Sequence, residues 1–315
     1  MPGPTSLEGQ RILVTGPTGQ VGLPIALGLA GANEVWGIAR FSDASARERL
    51  EAAGVRCVTT DLATTDFTHL PGEFDCVLNF AVAKGGDGDW DHDLAANAES
   101  VGLLVQHYRT VRAVLHCSST AVYQHQGPDH ELRETDPLGD NHRVLFPTYS
   151  LAKIAAEAVA RTAAREHDVP TTIARLNVPY GDNGGWPAWH ALFLRGDAPI
   201  PLHPERPNRF NPIHEDDILA GIPSLLAAAS VPATIVNWGG EPSSIEEWCT
   251  YLGELTGLPV RFDETTDTIG SVTIDRSKLR SLAPAPTVDL HDGLARMVAA
   301  RFPDLAPERS WPAPG

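Results

Sequence analysis

Along the first half of the chain, apolar residues fall in short runs that alternate with longer stretches of helical periodicity. Residues 11–15, 35–39, 56–60, 76–80, 113–117 and 171–176 are rich in β-branched side chains and lack a clean polar alternation, which predicts strands covered on both faces. Between them, 21–30, 44–53, 94–108 and 149–167 carry helical patterning. This repetition is the rhythm of βαβ units, so the expected fold is α/β with a doubly wound parallel sheet. After Pro179 the punctuation by Pro, Trp and Gly becomes denser and the elements shorter, predicting a smaller, mixed region. We therefore expect residues 1–180 to form the first domain and 181–315 mainly the second. Residues 217–229 and 244–256 still read as helices, and 234–238 as a strand, so that about 213–240 rejoins the first sheet. There is no internal repeat, and the Pro-rich stretch from 303 to 315 reads as a loosely attached end.

Composition narrows the class. With 315 residues, 42% hydrophobic and 20% charged, the chain is neither disordered nor fibrous and is long enough to bury a large core. Its 24 basic against 40 acidic residues give a net charge of −16, which repels a phosphate backbone and argues against nucleic acid as a partner. Cys57, Cys76, Cys117 and Cys249 are scattered without metal-ligand spacing and read as small buried hydrophobes, so no metal is expected. No basic segment followed by an apolar one opens the chain, and no run approaches the ~20 apolar residues that span a bilayer; the expectation is a cytoplasmic protein without a membrane partner.

Four stretches carry candidate chemistry. The first strand runs into Thr15-Gly16-Pro17-Thr18-Gly19-Gln20-Val21-Gly22 and then a helix, where backbone N–H groups and the helix N-terminus can face a pyrophosphate. The spacing is Gly-x-x-Gly-x-x-Gly; the alternative is a glycine-rich turn that merely lets strand and helix pack closely. Some twenty residues on, the second strand ends Ile38-Ala39-Arg40, where an acidic residue would accept hydrogen bonds from the ribose of NAD. Arg40 instead suits a 2′-phosphate and points to NADP over NAD, unless it is a plain loop arginine.

Tyr149-Ser150-Leu151-Ala152-Lys153 opens a helix, so Tyr149 and Lys153 share a face and the ammonium can draw the phenol down toward a pKa useful for proton transfer. Such pairs also occur by accident on surfaces. Ser118-Ser119-Thr120 follows the fifth strand, at the carboxyl end of the sheet where α/β proteins bind ligands, although a Ser-rich run is also an ordinary turn or helix cap. His116, inside the strand, reads as a core histidine.

In order along the chain these motifs, with Asp61-Leu62, Asn79-Phe80-Ala81-Val82-Ala83, Arg175-Leu176-Asn177-Val178-Pro179-Tyr180-Gly181 and Asn211-Pro212-Ile213-His214-Glu215-Asp216-Asp217, resemble the extended short-chain dehydrogenase/reductases, or NAD-dependent epimerase/dehydratase family. The resemblance extends through Asp275-Arg276-Ser277-Lys278. It implies a Rossmann-type sheet with a smaller mixed C-terminal substrate-binding region. It also implies a cofactor cradle of Gly16, Thr18, Gly19, Gln20, Val21 and Gly22, with Asp61 and Leu62 flanking the adenine, Ala81 and Ala83 lining the cleft, and Asn97 joining them. Tyr149 becomes the general acid/base, Ser119 the residue that fixes the reacting oxygen, and Lys153 a holder of the nicotinamide ribose.

Departures from the family pattern shape the expected substrate. Thr120 and Ala121 stand where the 4,6-dehydratases carry an Asp-Glu pair, which argues against dehydration. Phe210 holds the place of an arginine that contacts the diphosphate of a nucleotide sugar, with Arg209 one residue early. Thr120, Asn177, Trp186, Trp189, His190 and Arg209 are the substrate-binding candidates, and plain helix packing is the other reading of the aromatic ones. The leading expectation is an NADP-dependent carbonyl reductase or alcohol dehydrogenase acting on a small molecule. A nucleotide-sugar 4-epimerase and a non-catalytic nucleotide-binding regulator are the alternatives. The family commonly pairs the helices that correspond to 94–108 and 149–167, so a homodimer is expected.

Overall fold

A computed structural model describes residues 7–64, 67–83 and 89–306. Seven strands build the main sheet: β1 (Arg11–Thr15), β2 (Glu34–Ala39), β3 (Arg56–Thr59), β4 (Cys76–Asn79), β5 (Ala113–Ser119), β6 (Thr171–Leu176) and β7 (Thr234–Trp238). They lie in the order β3-β2-β1-β4-β5-β6-β7, every pair parallel. Strand order reverses between β1 and β4, and at such a point the loops leaving the two strands part to open a crevice at the carboxyl edge.

The missing polar alternation has a direct cause. Ile12 and Val14 pack into one core with α1 (Gly22–Ala30) and α7 (Glu215–Ala227), while Leu13 between them packs into the core on the other face, beside Leu104, Val105 and Tyr108. β5 and β6 are buried at every position. α2 (Ala44–Ala52) is capped by Asp43, whose carboxylate accepts the Ser45 and Ala46 N–H groups at 3.0 and 3.3 Å.

The stretch expected as one helix over 94–108 is three pieces: α3 (Trp90–Leu94), a π-helical turn over Ala95–Glu99, and α4 (Ser100–His107). Ser100 donates its hydroxyl to the Ala96 carbonyl at 2.7 Å, and Asn97 in the widened turn is held by the backbone of Ala83. α5 (Tyr149–His167) matches the expected span.

The second region has its own core, built by α6 (Trp186–Arg195), α8 (Ile245–Thr256) and α10 (Leu290–Arg301) around Phe210, Trp248, Leu252 and Met297. Two- and three-stranded ribbons join it, and α9 (Ser277–Leu282) packs near β7. β7 returns from this region to pair with β6, Leu176 opposite Trp238. Its Asn237 ties the two halves together. The side-chain amide donates to Leu132 O at 2.8 Å and Asp275 O at 3.3 Å and accepts the Tyr123 hydroxyl, while the backbone N–H donates to Glu134 at 2.9 Å. Of the Pro-rich end, Leu305 and Ala306 pack on the second core, and 307–315 lie outside the described residues, as do 1–6. Among the described residues no helix is long and apolar enough to cross a membrane, and all four cysteines are free thiols.

Candidate active site

One cavity of about 640 Å³ runs along the carboxyl edge of the sheet and between the two regions. Its first wall is the loop after β1. Gly16 sits at φ +65°, and a Cβ there would lie 2.7 Å from the Ala81 Cα, so only glycine fits this approach of two backbones. A Cβ on Gly22 would meet the Gly16 carbonyl oxygen at 2.2 Å. No side chain caps α1, and a helix start without a cap of its own, preceded by backbone this closely folded, fits the pyrophosphate of a dinucleotide. Thr18, Gly19, Gln20 and Val21 line the cavity with Gly16; Gly22 does not, and acts one layer behind by allowing the helix to start so close to the loop.

The same cavity is lined by Arg40, Asp61, Leu62, Ala81 and Ala83. Asn97 is not part of the lining. Its side-chain oxygen accepts the Ala83 N–H at 2.8 Å and its amide donates to the Ala83 carbonyl at 2.9 Å, so it shapes the loop that does line it.

Ser119 ends β5, and its hydroxyl oxygen accepts the Ala121 N–H at 3.1 Å. It is thus a cap for the short turn Thr120–Val122, one of the two roles the sequence left open, and it lines the same cavity as Tyr149. Tyr149 is the first residue of α5, with Lys153 one turn on. The expectation that lysine would draw the phenol down is not met. Burial pushes Tyr149 up to about 12, against the lowering effect of the Ser119 hydrogen bond. Lys153 is itself buried and donates to the Cys117 carbonyl at 2.8 Å.

Sequence reasoning missed what fixes α5 in place. Glu157, one helical face along from Lys153, forms a buried bidentate pair with Arg175 of β6 at 2.9 and 2.7 Å and accepts the Ser118 hydroxyl at 2.6 Å. A carboxylate and an arginine separated by eighteen positions leave no local pattern, although Ser118 beside Ser119 was a hint.

Residues of both regions make the other wall. Thr120, Asn177, Trp186, Trp189 and His190 all reach it, joined by Leu145, Phe146, Phe193, Phe210 and Ile269, which the sequence did not single out. Asn177 is buried with its amide engaged, donating to Val272 O at 2.7 Å and accepting the Asn211 N–H at 3.2 Å. Arg209 is corrected: it lies outside the lining, half-exposed and 3.8 Å from Asp129, because alternation along its short strand turns Phe210 inward instead. His116 is a core residue, its Nδ1 accepting from Asn79 at 3.1 Å and its pKa pushed down to about 3 by burial and by Lys153.

Comparison with known proteins agrees with this geometry. The model of the NAD-dependent epimerase/dehydratase family matches residues 12–237. The chain belongs to that family. Membership makes it an enzyme type that works with a nicotinamide dinucleotide by hydride transfer, and the dinucleotide fits the cradle described above. Among solved structures, UDP-glucuronic acid 4-epimerase from Bacillus cereus, in complex with UDP-glucuronic acid and NAD, is 21% identical with a TM-score of 0.79, over 92% of this chain and 98% of that one. The dTDP-glucose 4,6-dehydratase of Streptomyces venezuelae with NAD bound is 25% identical with a TM-score of 0.78, over 92% and 96%. UDP-N-acetylglucosamine 4-epimerase from Methanobrevibacter ruminantium M1 is 17% identical with a TM-score of 0.80, over 95% and 100%. A search of curated proteins finds no match. The matched residues take in the sheet, the glycine loop and the segment that carries Trp186, His190 and Phe210.

Proposed function

We propose that the protein is an NADP-dependent carbonyl reductase or alcohol dehydrogenase in which Tyr149 is the general acid/base, Ser119 fixes the reacting oxygen and Lys153 holds the nicotinamide ribose. The observation that carries this reading is that Ser119, Tyr149 and Lys153 line the same cavity as the glycine loop. The bound cofactor supplies a hydride at its nicotinamide C4, or accepts one there in the reverse direction. Tyr149 gives its phenol proton to the substrate oxygen as the carbonyl becomes an alcohol, and takes a proton from that oxygen in oxidation. Ser119 keeps its own hydroxyl hydrogen available, since its oxygen is what accepts the Ala121 N–H. Gly16, Thr18, Gly19, Gln20 and Val21 would hold the pyrophosphate, Asp61 and Leu62 the adenine end, and Arg40 the 2′-phosphate.

Family membership also supports a nucleotide-sugar 4-epimerase, in which the hydride is taken and returned to the opposite face. Absorbance at 340 nm separates the two. NADPH with a panel of ketones is expected to give a steady loss of absorbance, and Tyr149→Phe to lower kcat by about a hundredfold or more with NADPH affinity unchanged. Conversion of a UDP-sugar without net absorbance change would establish the epimerase. A Tyr149→Phe enzyme of near wild-type rate would remove Tyr149 from the chemistry.

A further inference from the structure

The aromatic wall carries one polar group whose orientation is fixed from behind. Trp186, His190 and Phe210 line the cavity, with the Trp186 ring 4.8 Å from Phe210 at 76° and 5.5 Å from His190. Behind them Trp248, fully buried, stacks on His190 at 5.8 Å and donates its indole N–H to His190 Nδ1 at 2.9 Å. An indole nitrogen is a donor and nothing else, so Nδ1 must be the acceptor and the imidazole carries its proton on Nε2. Burial keeps the ring neutral by pushing its pKa down to about 3. Nε2 has no acceptor among the described residues, yet it is not one of the sealed polar atoms, as Nε2 of His116 and of His214 are. It is an N–H donor presented to the cavity.

The surroundings of that donor select against charge. Leu145, Phe146, Val178, Phe193 and Ile269 continue the wall in apolar side chains, and Asp267 stands exposed at the rim. The arginines of the adjoining segment are engaged elsewhere: Arg206 with Glu246 and Glu264 at 3.1 and 3.4 Å, Arg209 toward Asp129. Among the described residues, Lys153 beside the reacting pair is the one Lys or Arg lining this half of the cavity. A diphosphate placed here would lose its hydration and meet no Lys or Arg among the described lining residues beyond Lys153, on a chain whose net charge is already −16.

Resting on the oxidoreductase reading above, we propose that this chamber takes an uncharged, ring-bearing ketone or alcohol. Its reacting oxygen meets Ser119 and Tyr149, and a second, remote oxygen accepts the hydrogen bond from His190 Nε2. Trp186 and Phe210 contribute edge and face contacts to the ring, and His190 reads the oxygen. A site built to donate one hydrogen bond rejects an analogue without the acceptor far more strongly than an apolar wall rejects a change of shape.

The test uses the full-length enzyme with NADPH and pairs of aryl ketones that differ by one methoxy or keto oxygen remote from the reducible carbonyl, with UDP-glucose as the charged probe. Turnover is read at 340 nm and binding by quenching of tryptophan fluorescence. The expected result is that the oxygen-bearing ketones are preferred over their hydrocarbon analogues in kcat/KM by about tenfold or more. His190→Phe should erase that preference by raising KM for the oxygen-bearing member, with kcat nearly unchanged. Trp248→Phe, which leaves His190 in place but frees its tautomer, should erase part of it. A preference that survives His190→Phe, or UDP-glucose bound more tightly than every aryl ketone, would overturn the inference while leaving Tyr149 chemistry standing. Aryl ligands that bind with His190-dependent discrimination but are never reduced would support the chamber and overturn the oxidoreductase reading instead.

Discussion

Arg40 shows how much one side chain at the end of a strand can decide. It closes the crevice beyond β2, exposed, with no ion pair among the described residues. Asp43, three positions on, is committed to capping α2, and Arg47 is paired with Glu51 at 2.8 Å and lies over Phe41. A 2′-phosphate would therefore meet a guanidinium without an ion-pair partner among the described residues, in a loop where Asp43 is occupied as a helix cap. NADPH is expected to bind more tightly than NADH by roughly ten- to hundredfold, the worth of a charge-assisted pair reduced by salt. Titrating both cofactors into wild type and Arg40→Ala checks this; equal affinities in the wild type, or a preference that outlasts the substitution, would assign the arginine to solvent. At this scale the sequence was legible in bringing Gly16, Ser119, Tyr149 and Lys153 to one cavity. It was not legible where an amide could face either way. Asn97 and Asn177 both reach the site's neighbourhood, but their two-ended hydrogen bonds hold backbone. Spacing locates a loop without fixing the rotamer of each side chain on it.

Among the elements, α5 presents two different faces. Lys153 and Glu157 turn inward, while Leu151 and Ala158 are exposed and Ile154, Ala155 and Val159 half-buried. α4 lies close beside it, because Gly102 leaves room where a Cβ would strike Val159 at 2.5 Å. An outward apolar strip on α5, with α4 close beside it, suits an isologous pairing with a second copy. Light scattering after size exclusion is expected to give a dimer mass at micromolar concentration, and Leu151→Glu to shift it toward the monomer; a monomer in the wild type would leave the strip to solvent.

The elements that were easy to read were those with both faces covered, since continuous apolar runs survive any local variation. α6 escaped because Pro187 and two tryptophans looked like loop punctuation, although proline in the first turn is where a helix tolerates it. α10 escaped although its cap was in plain view: Asp289 accepts the His291 and Asp292 N–H groups at 2.9 and 3.3 Å. The π-turn at Ala95–Glu99 had no signal in a periodicity of 3.6, being a departure from it.

For the molecule as a whole, buried titratable groups set the response to acid. His116 and His190 are both held down to about 3 by burial, whereas an unfolded histidine titrates near 6.5. Between those values the unfolded chain binds up to two more protons than the native one, so their contribution is fully present above about pH 6.5 and lost as pH falls. His214, lowered in the same direction, adds to this side. Glu215 works against it: burial raises its pKa to about 7, so over the range above the usual carboxylate value the native chain holds the extra proton. The net expectation from pH 6.5 to 5 is a loss of stability worth about one proton, roughly 1.4 kcal/mol per pH unit at most. Urea unfolding at stepped pH measures it. His190→Gln should flatten the dependence and Glu215→Gln steepen it, and no dependence in the wild type would mean that these groups titrate alike in both states.

The return of β7 to the sheet has a consequence for how the protein is made. β6 ends at Leu176, and the strand that covers its outer side begins at Thr234, after the chain has passed through α6 and α7. While the ribosome works through that interval, β6 stands as the open edge of a nearly complete sheet, a row of unpaired amides on a strand every residue of which is buried in the finished molecule. A chain stopped at residue 180 should therefore aggregate, by edge-to-edge pairing, in a sedimentation assay where the full chain stays in the supernatant. The nucleotide half, though first to emerge, must wait for the aromatic half to be synthesised before its own last seam can close.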